Sequence, residues 1–269
     1  MKYINLFKTT STYNTYKQST NFITPNVSLC EDVPDAIHYE PYVDYSQYYF
    51  TMVVTSGGDI TWTGSTASNT LSYSKDNGNT WISVNNEDTI SVSEGDKVLW
   101  KGTPTPQQGN GIGNFSGDTN TRYSVEGNAM SLLYGDNFKG QISLGDKNYV
   151  FWNLFKNNTN VISAKNLSLP ATTLSNGCYC CMFKYCTSLT IAPELPATIL
   201  TEGCYSGMFT GCTNLNSITC LATDISVSYC TTDWVMDVAA SGTFTKSADM
   251  GDWIGGRNGI PSSWNVVDV

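Results

Sequence analysis

The C-terminal part of the chain repeats itself at a constant offset. Leu169-Pro-Ala-Thr-Thr-Leu174 returns as Leu195-Pro-Ala-Thr-Ile-Leu200, and Cys178-Tyr179 returns as Cys204-Tyr205. Met182-Phe183-Lys-Tyr-Cys186-Thr-Ser-Leu189 returns as Met208-Phe209-Thr-Gly-Cys212-Thr-Asn-Leu215, and every matched pair lies 26 residues apart. A fixed offset over so many positions requires a stacked, solenoid-like unit, because each repeat can hide its apolar face only against its neighbours. The structural repeat positions are then Cys178, Phe183, Cys186 and Leu189 with their partners Cys204, Phe209, Cys212 and Leu215. This pattern moves the search for function from a pocket to an exposed surface.

Composition excludes several classes of partner. Only 14% of the 269 residues are charged, against roughly 25% in an average soluble protein, so solubility rests on Thr, Ser, Asn and Gly. A net charge of −9 disfavours nucleic acid and anionic membranes, which need clustered Lys and Arg. No apolar stretch is long enough for a membrane span, and no membrane insertion is expected. His38 is the single histidine, so triad catalysis would have one base and multi-histidine metal sites are excluded. No catalytic residue, metal or cofactor is expected. The opening Met1-Lys-Tyr-Ile-Asn-Leu-Phe-Lys8 lacks the apolar core of a secretory signal, and starting at Met1 favours a protein that reaches its place without the secretion machinery.

Of the nine cysteines, Cys30 stands apart and the other eight lie in the repeat region. Cys178, Cys180, Cys181 and Cys186 could be read as a zinc cluster. The competing reading is stronger: Cys178 and Cys186 recur in phase, and Asn158 takes the place of Cys186 one unit earlier. Cysteine in that role is a small buried hydrophobe with a weak S–H donor. Cys180 and Cys181 fall where the next repeat has Ser206 and Gly207, which places them facing solvent.

The whole is expected to be mainly β with short helices. Residues 1–40 form a small N-terminal module, with a helix over 9–19 and strands at 26–30 and 36–39. Residues 41–125 form a β-sandwich-like domain, with strands at 50–54, 59–62, 70–73, 80–84, 89–92 and 97–100 between Gly, Asn and Asp clusters. Residues 103–117 read as a long flexible loop. Residues 126–235 hold the repeats, two good ones with a degenerate unit at each end. Residues 236–269 make a C-terminal cap, with a short helix over 247–253 and a closing strand at 264–267.

Cys-Thr-x-Leu, a Pro-containing stretch and Met-Phe-x-x-Cys together resemble the BspA-like leucine-rich repeats of bacterial surface proteins, over roughly residues 145–235. Here Met182 and Met208 replace the usual Ala. Phe7-Lys-Thr-Thr-x-x-Tyr13-Asn-x-Tyr16, Thr24-Pro-Asn-Val-Ser28-x-Cys-Glu-Asp32 and Ile37-His-Tyr39 resemble the opening module of structural proteins of gut phages, crAss-like phages among them. That resemblance implies a virion attachment module carrying a variable display domain. Ser74-Lys-Asp76-Asn-Gly78-Asn-Thr80-Trp81 matches the Asp-box of sialidases and other propellers, which is a hairpin element away from the active site. With one box and little arginine, a sialidase is not expected.

Three functions compete. The first is a non-enzymatic phage virion protein on the virion surface: a head fibre, capsid decoration or tail-associated subunit. It would bind other virion proteins through residues 1–40 and a host-surface glycan or protein through the repeats. A fibre role implies a homo-oligomer, commonly a trimer. The second is a BspA-like adhesin on the bacterial cell surface. The third is a polysaccharide hydrolase, for which Asp224, Asp233 and Asp237, or Asp249 and Asp252, would supply paired carboxylates; solvated turns and caps are the plainer reading of those residues. If the repeats carry a binding face, Tyr179 and Tyr205 are candidates because they recur in register, with packing aromatics as the alternative. Trp234 and Trp253 near the cap are further candidates.

Overall fold

The computed structural model of the protein describes residues 42–64, 71–105, 111–251 and 253–269. The elements expected within residues 1–40 lie outside them. Val43–Val269 is one compact unit, distinct from Met1–Tyr42. It is mainly β, with one four-residue α-helix and two short 3-10 turns among the described residues.

The strands begin with Phe50–Ser56 (β1), Gly58–Gly64 (β2), Leu71–Ser74 (β3), Ile82–Ser83 (β4), Thr89–Val92 (β5) and Lys97–Gly102 (β6). Each of the six expected segments overlaps one of them. Gly113–Gly117 (β7), Arg122–Asn128 (β8), the helix Ser131–Tyr134 (α1) and Val161–Ser168 (β9) follow. One sheet runs β4-β3-β6-β1-β8-β9, and a second runs β5-β2-β7. In β1 the buried Phe50, Met52 and Val54 lie two residues apart, so the pleat turns all three to the core. The two sheets meet at Phe115 of β7, whose ring lies 4.5 Å from Trp62, 4.8 Å from Trp100 and 5.8 Å from Phe50.

The expected flexible loop over 103–117 is corrected by β7, which pairs antiparallel with β2. Its glycines serve close packing. A side chain at Gly113 would collide with the Trp62 ring and the Thr63 carbonyl, so only glycine lets the backbone approach that ring.

β8 joins the two halves, pairing antiparallel with β1 and parallel with β9. Beyond it, Ile191–Leu195 (β10), Ser217–Cys220 (β11), Thr243–Lys246 (β12) and Asn265–Asp268 (β13) form a four-stranded parallel sheet in chain order. Its register places Ile218 beside Phe244 and Phe244 beside Val266. β13 is the expected closing strand. The helix expected over 247–253 is not formed by the described residues of that span: Ser247 instead closes a turn, its hydroxyl accepting from the Asp249 amide and its carbonyl from the Met250 amide. Serine competes well for such local bonds, and a glycine follows at once, so the helix does not propagate.

Opposite the parallel strands, each repeat runs as a chain of successive turns. The amides of Cys178, Cys180, Met182, Lys184 and Cys186 donate three residues back. The amides between them, of Tyr179, Cys181, Phe183 and Tyr185, donate to Cys204, Ser206, Met208 and Thr210 of the next repeat. Local and inter-repeat bonds thus alternate, and the buried backbone donors along this run are satisfied. The geometry requires a left-handed residue at every fourth position: 149, 153 and 157, then 177, 181 and 185, then 203, 207 and 211, then 229, 233 and 237. These are Gly, Asn or Asp except at Tyr149, Cys181, Tyr185 and Tyr229, as the Cβ penalty of that conformation demands.

Candidate functional site

Residues that recur in phase go to the interior. Phe115, Phe155, Phe183 and Phe209 stack in one column at centroid spacings of 5.7, 5.2 and 5.9 Å. Phe151, Tyr179, Tyr205 and Trp234 stack in a second, at 5.6, 6.0 and 6.3 Å. Both columns end on Trp234, which lies 6.3 Å from Phe209 and 5.6 Å from Trp253. Tyr179, Tyr205 and Trp234 are buried, and Trp253 is half-buried against the same core. The proposed binding face through Tyr179 and Tyr205 is therefore corrected: these rings fill the stack, and burial raises both hydroxyl pKa values well above the ordinary tyrosine range. Trp234 donates its indole N–H to the Gly259 carbonyl at 2.8 Å, which fixes the cap on the last repeat.

Cys178, Cys186, Leu189, Cys204, Cys212 and Leu215 are fully buried, like Phe183 and Phe209. Burial pushes the thiols of Cys204, Cys212 and Cys220 up to about 12, so at neutral pH they are donors. Cys186 Sγ reaches the Phe155 carbonyl at 2.9 Å, and Cys212 Sγ the Phe183 carbonyl at 3.0 Å. Asn158, in phase with them, donates Nδ2 to the Phe115 carbonyl at 2.6 Å and to the Tyr123 hydroxyl at 2.8 Å. One side chain per repeat thus satisfies a backbone acceptor of the preceding unit, and Asn158 performs this where the repeats abut β7.

The exposed side of the turn run is chemically different in each repeat. Trp152, Cys180, Ser206 and Thr232 occupy one row, and Lys156, Lys184, Thr210 and Met236 another. All but the buried Thr210 reach solvent. Beside Trp152 stands Tyr149, their ring centroids 5.8 Å apart. Tyr185 and Tyr229 are exposed on the same run. Cys180 and Cys181 are part-exposed, as their non-recurring positions led one to expect, while Cys178 and Cys186 are buried, so these four sulfurs divide between surface and interior.

A groove of about 790 Å³ lies over β1, β6 and β8, lined by Tyr45, Tyr48, Tyr49, Asn77, Lys97 and Glu126 among others. Tyr48 presents more than half its surface. At its edge Asp136 accepts from the Tyr49 hydroxyl at 2.6 Å and from Lys101 at 2.8 Å, and these bonds hold its carboxyl below the usual carboxylate range. Lys101 also sits 4.2 Å over the Trp81 ring. Trp81 belongs to the Asp-box, which forms the β3–β4 hairpin. There Asp76 accepts from the Thr80 hydroxyl at 2.6 Å, the Thr80 amide at 2.9 Å and the Ser74 hydroxyl at 2.7 Å, with Gly78 at φ 86°.

The acidic residues considered for hydrolysis serve turns and the cap. Asp224 accepts from the Ser226 amide and hydroxyl, and Asp233 pairs with Arg257 at 2.8 Å. Asp237 is exposed at a left-handed position, and Asp252 lies outside the described residues. Among the described residues no group of three or more His, Cys, Asp or Glu side chains is placed to hold a metal ion. No helix among them is long and apolar enough to cross a membrane. Comparison with protein-family models, curated proteins and solved structures yields no match for this chain.

Proposed function

We propose that the protein is a non-enzymatic virion structural protein of the phage kind, a head fibre, decoration or tail-associated subunit that displays its repeats to the host surface. The observation that carries this reading is the division of labour within each repeat. Positions that recur in phase (Cys178, Phe183, Cys186, Leu189 and their partners) are spent on the interior, whereas the exposed rows differ in chemistry from one repeat to the next. A scaffold that keeps its inside and varies its outside suits presentation of a surface. The weakly charged, aromatic-bearing exterior and the tyrosine-lined groove suit shallow contacts with glycan or protein, in which several copies raise avidity.

The finer architecture belongs to the same proposal: an attachment module at 1–40, a β-sandwich-like domain at 41–125, BspA-like leucine-rich repeats at 126–235 and a cap at 236–269. A homo-oligomer, trimeric in the fibre form, follows from it. The test is mass spectrometry of density-purified particles, with antibody labelling to locate the chain on them. Presence at stoichiometric level on the particle surface is the expected result. Recovery from host membranes with absence from particles would support the bacterial adhesin instead. Reducing ends released from host capsular polysaccharide would establish a hydrolase.

A further inference from the structure

Two cysteines do not fit the packing role of the others. Cys180 and Cys181 are the only ones among the eight described cysteines that are not buried. They are adjacent in sequence, and Cys180 Sγ lies 3.7 Å from Cys181 Sγ as its donor. The repeat does not require them, because the next unit has Ser206 and Gly207 in their places. Cys181 even carries a backbone cost. Its φ is 54°, whereas Asn153, Gly207 and Asp233 hold the matching positions, residue types that tolerate that region better. A costly, partly exposed thiol beside a second thiol is the kind of departure that marks a working group.

We propose that this pair is a thiol–disulfide exchange site, with Cys181 as the nucleophile toward disulfides of outside molecules and Cys180 as the donor that stabilises its thiolate. The hydrogen bond from Cys180 draws the Cys181 thiol down to about 6, helped by Lys184, Lys156 and the Trp152 indole and opposed by partial burial. Cys180 is correspondingly raised. In the reaction, the Cys181 thiolate attacks one sulfur of a disulfide R–S–S–R. The Cys181–S–R bond forms, the S–S bond breaks, and R–S⁻ leaves with the electron pair. Cys181 is oxidised and the departing thiolate is the reduced product; Cys180 keeps its proton. Closure of a ring between the two neighbours is disfavoured, because consecutive Cα atoms about 3.8 Å apart fall short of the roughly 4.4–6.8 Å that disulfides adopt. The mixed disulfide therefore persists as a covalent attachment.

The full chain, folded at pH 7, would be incubated with oxidised glutathione, quenched with acid and mapped by fragment mass spectrometry, which reads each cysteine separately. The expected result is one glutathione on Cys181, added at least about tenfold faster than on Cys178, Cys186, Cys204 or Cys212. Cys181→Gly abolishes the adduct, and this variant folds because glycine suits the left-handed position, as circular dichroism would verify. Cys180→Ser retains a donor and keeps most of the rate, whereas Cys180→Ala slows it several-fold. A first adduct on Cys180, an adduct spread over the buried cysteines, or no adduct on the folded chain overturns the proposal.

Discussion

The two halves of Val43–Val269 are stabilised over different sequence distances. In the β1–β8 half, the core is assembled from distant partners: Trp62, Trp100 and Phe50 all meet Phe115. In the repeat half, each ring meets its counterpart one repeat away, and backbone amides bond to the neighbouring repeat. The first half therefore needs a particular tertiary arrangement before any of its core exists, whereas the second is built by nearest-neighbour addition. The two designs are joined because the phenylalanine column continues through Phe155 into β7 at Phe115. The two-sheet half thereby serves as the first cap of the stack, and Trp234 with Trp253 as the second.

The largest test of this contrast is Phe183→Ala. Removing a fully buried ring from the middle of the column should cost about 3–5 kcal/mol in urea unfolding. Hydrogen exchange should lose protection along 151–157 and 205–211 while β1 and β6 retain theirs. Equal loss in both halves would show that they do not differ in this way. Phe115→Ala, at the junction, should weaken both.

Gly211→Ala comes next, at about 1–3 kcal/mol. The position has φ 74°, and a methyl group there would enter the Tyr185 ring. Tyr185→Ala in the same chain should recover the steric part and leave the conformational part. Full additivity in that double-mutant cycle would rule out the ring contact as the cause.

Cys186→Ala should cost about 0.5–1.5 kcal/mol, removing the thiol donor from the Phe155 carbonyl, which still accepts from the Asn158 amide, while Cys186→Ser should retain the hydrogen bond. If Ser proves no better than Ala, the thiol acts only as bulk.

The smallest effect concerns the Asp-box. Its Thr80 hydrogen bonds, side chain first, lower the Asp76 carboxyl from 3.8 to about 2. A depressed folded-state value means that the contribution is complete above about pH 4 and is lost as pH falls toward 2. The Thr80 amide resonance should titrate in that window with the repeats unchanged, and a midpoint near 4 would contradict the hydrogen-bonded geometry.

Much of the repeat half was legible in the chain because the signal is periodic. The 26-residue offset of Phe183 and Cys186 marks positions that must be equivalent, and equivalent positions in a stack share one environment. The left-handed positions were legible too in principle, since Gly203, Gly207 and Gly211 recur every fourth residue, but Tyr149, Cys181, Tyr185 and Tyr229 interrupt the pattern elsewhere. The β7 strand was hidden by composition. Gly113 and Gly117 look like loop residues, yet the first is small because the Trp62 ring lies against it. Burial of Tyr179 and Tyr205 was hidden for a related reason. A tyrosine recurring in register reads equally well as a displayed or a stacked ring, and only the facing Phe151 and Trp234 decide between them.

The sequence by itself determined the existence of the repeat, its phase, its β-rich setting and the Asp-box hairpin, because those depend on residues close along the chain or on equivalence between copies. Only the tertiary structure decided that the Tyr179 and Tyr205 rings are interior, that β7 seats the phenylalanine column, and that Trp234 and Trp253 close the stack. Those outcomes depend on which distant groups exclude water from a side chain, and periodicity along one chain carries no record of that.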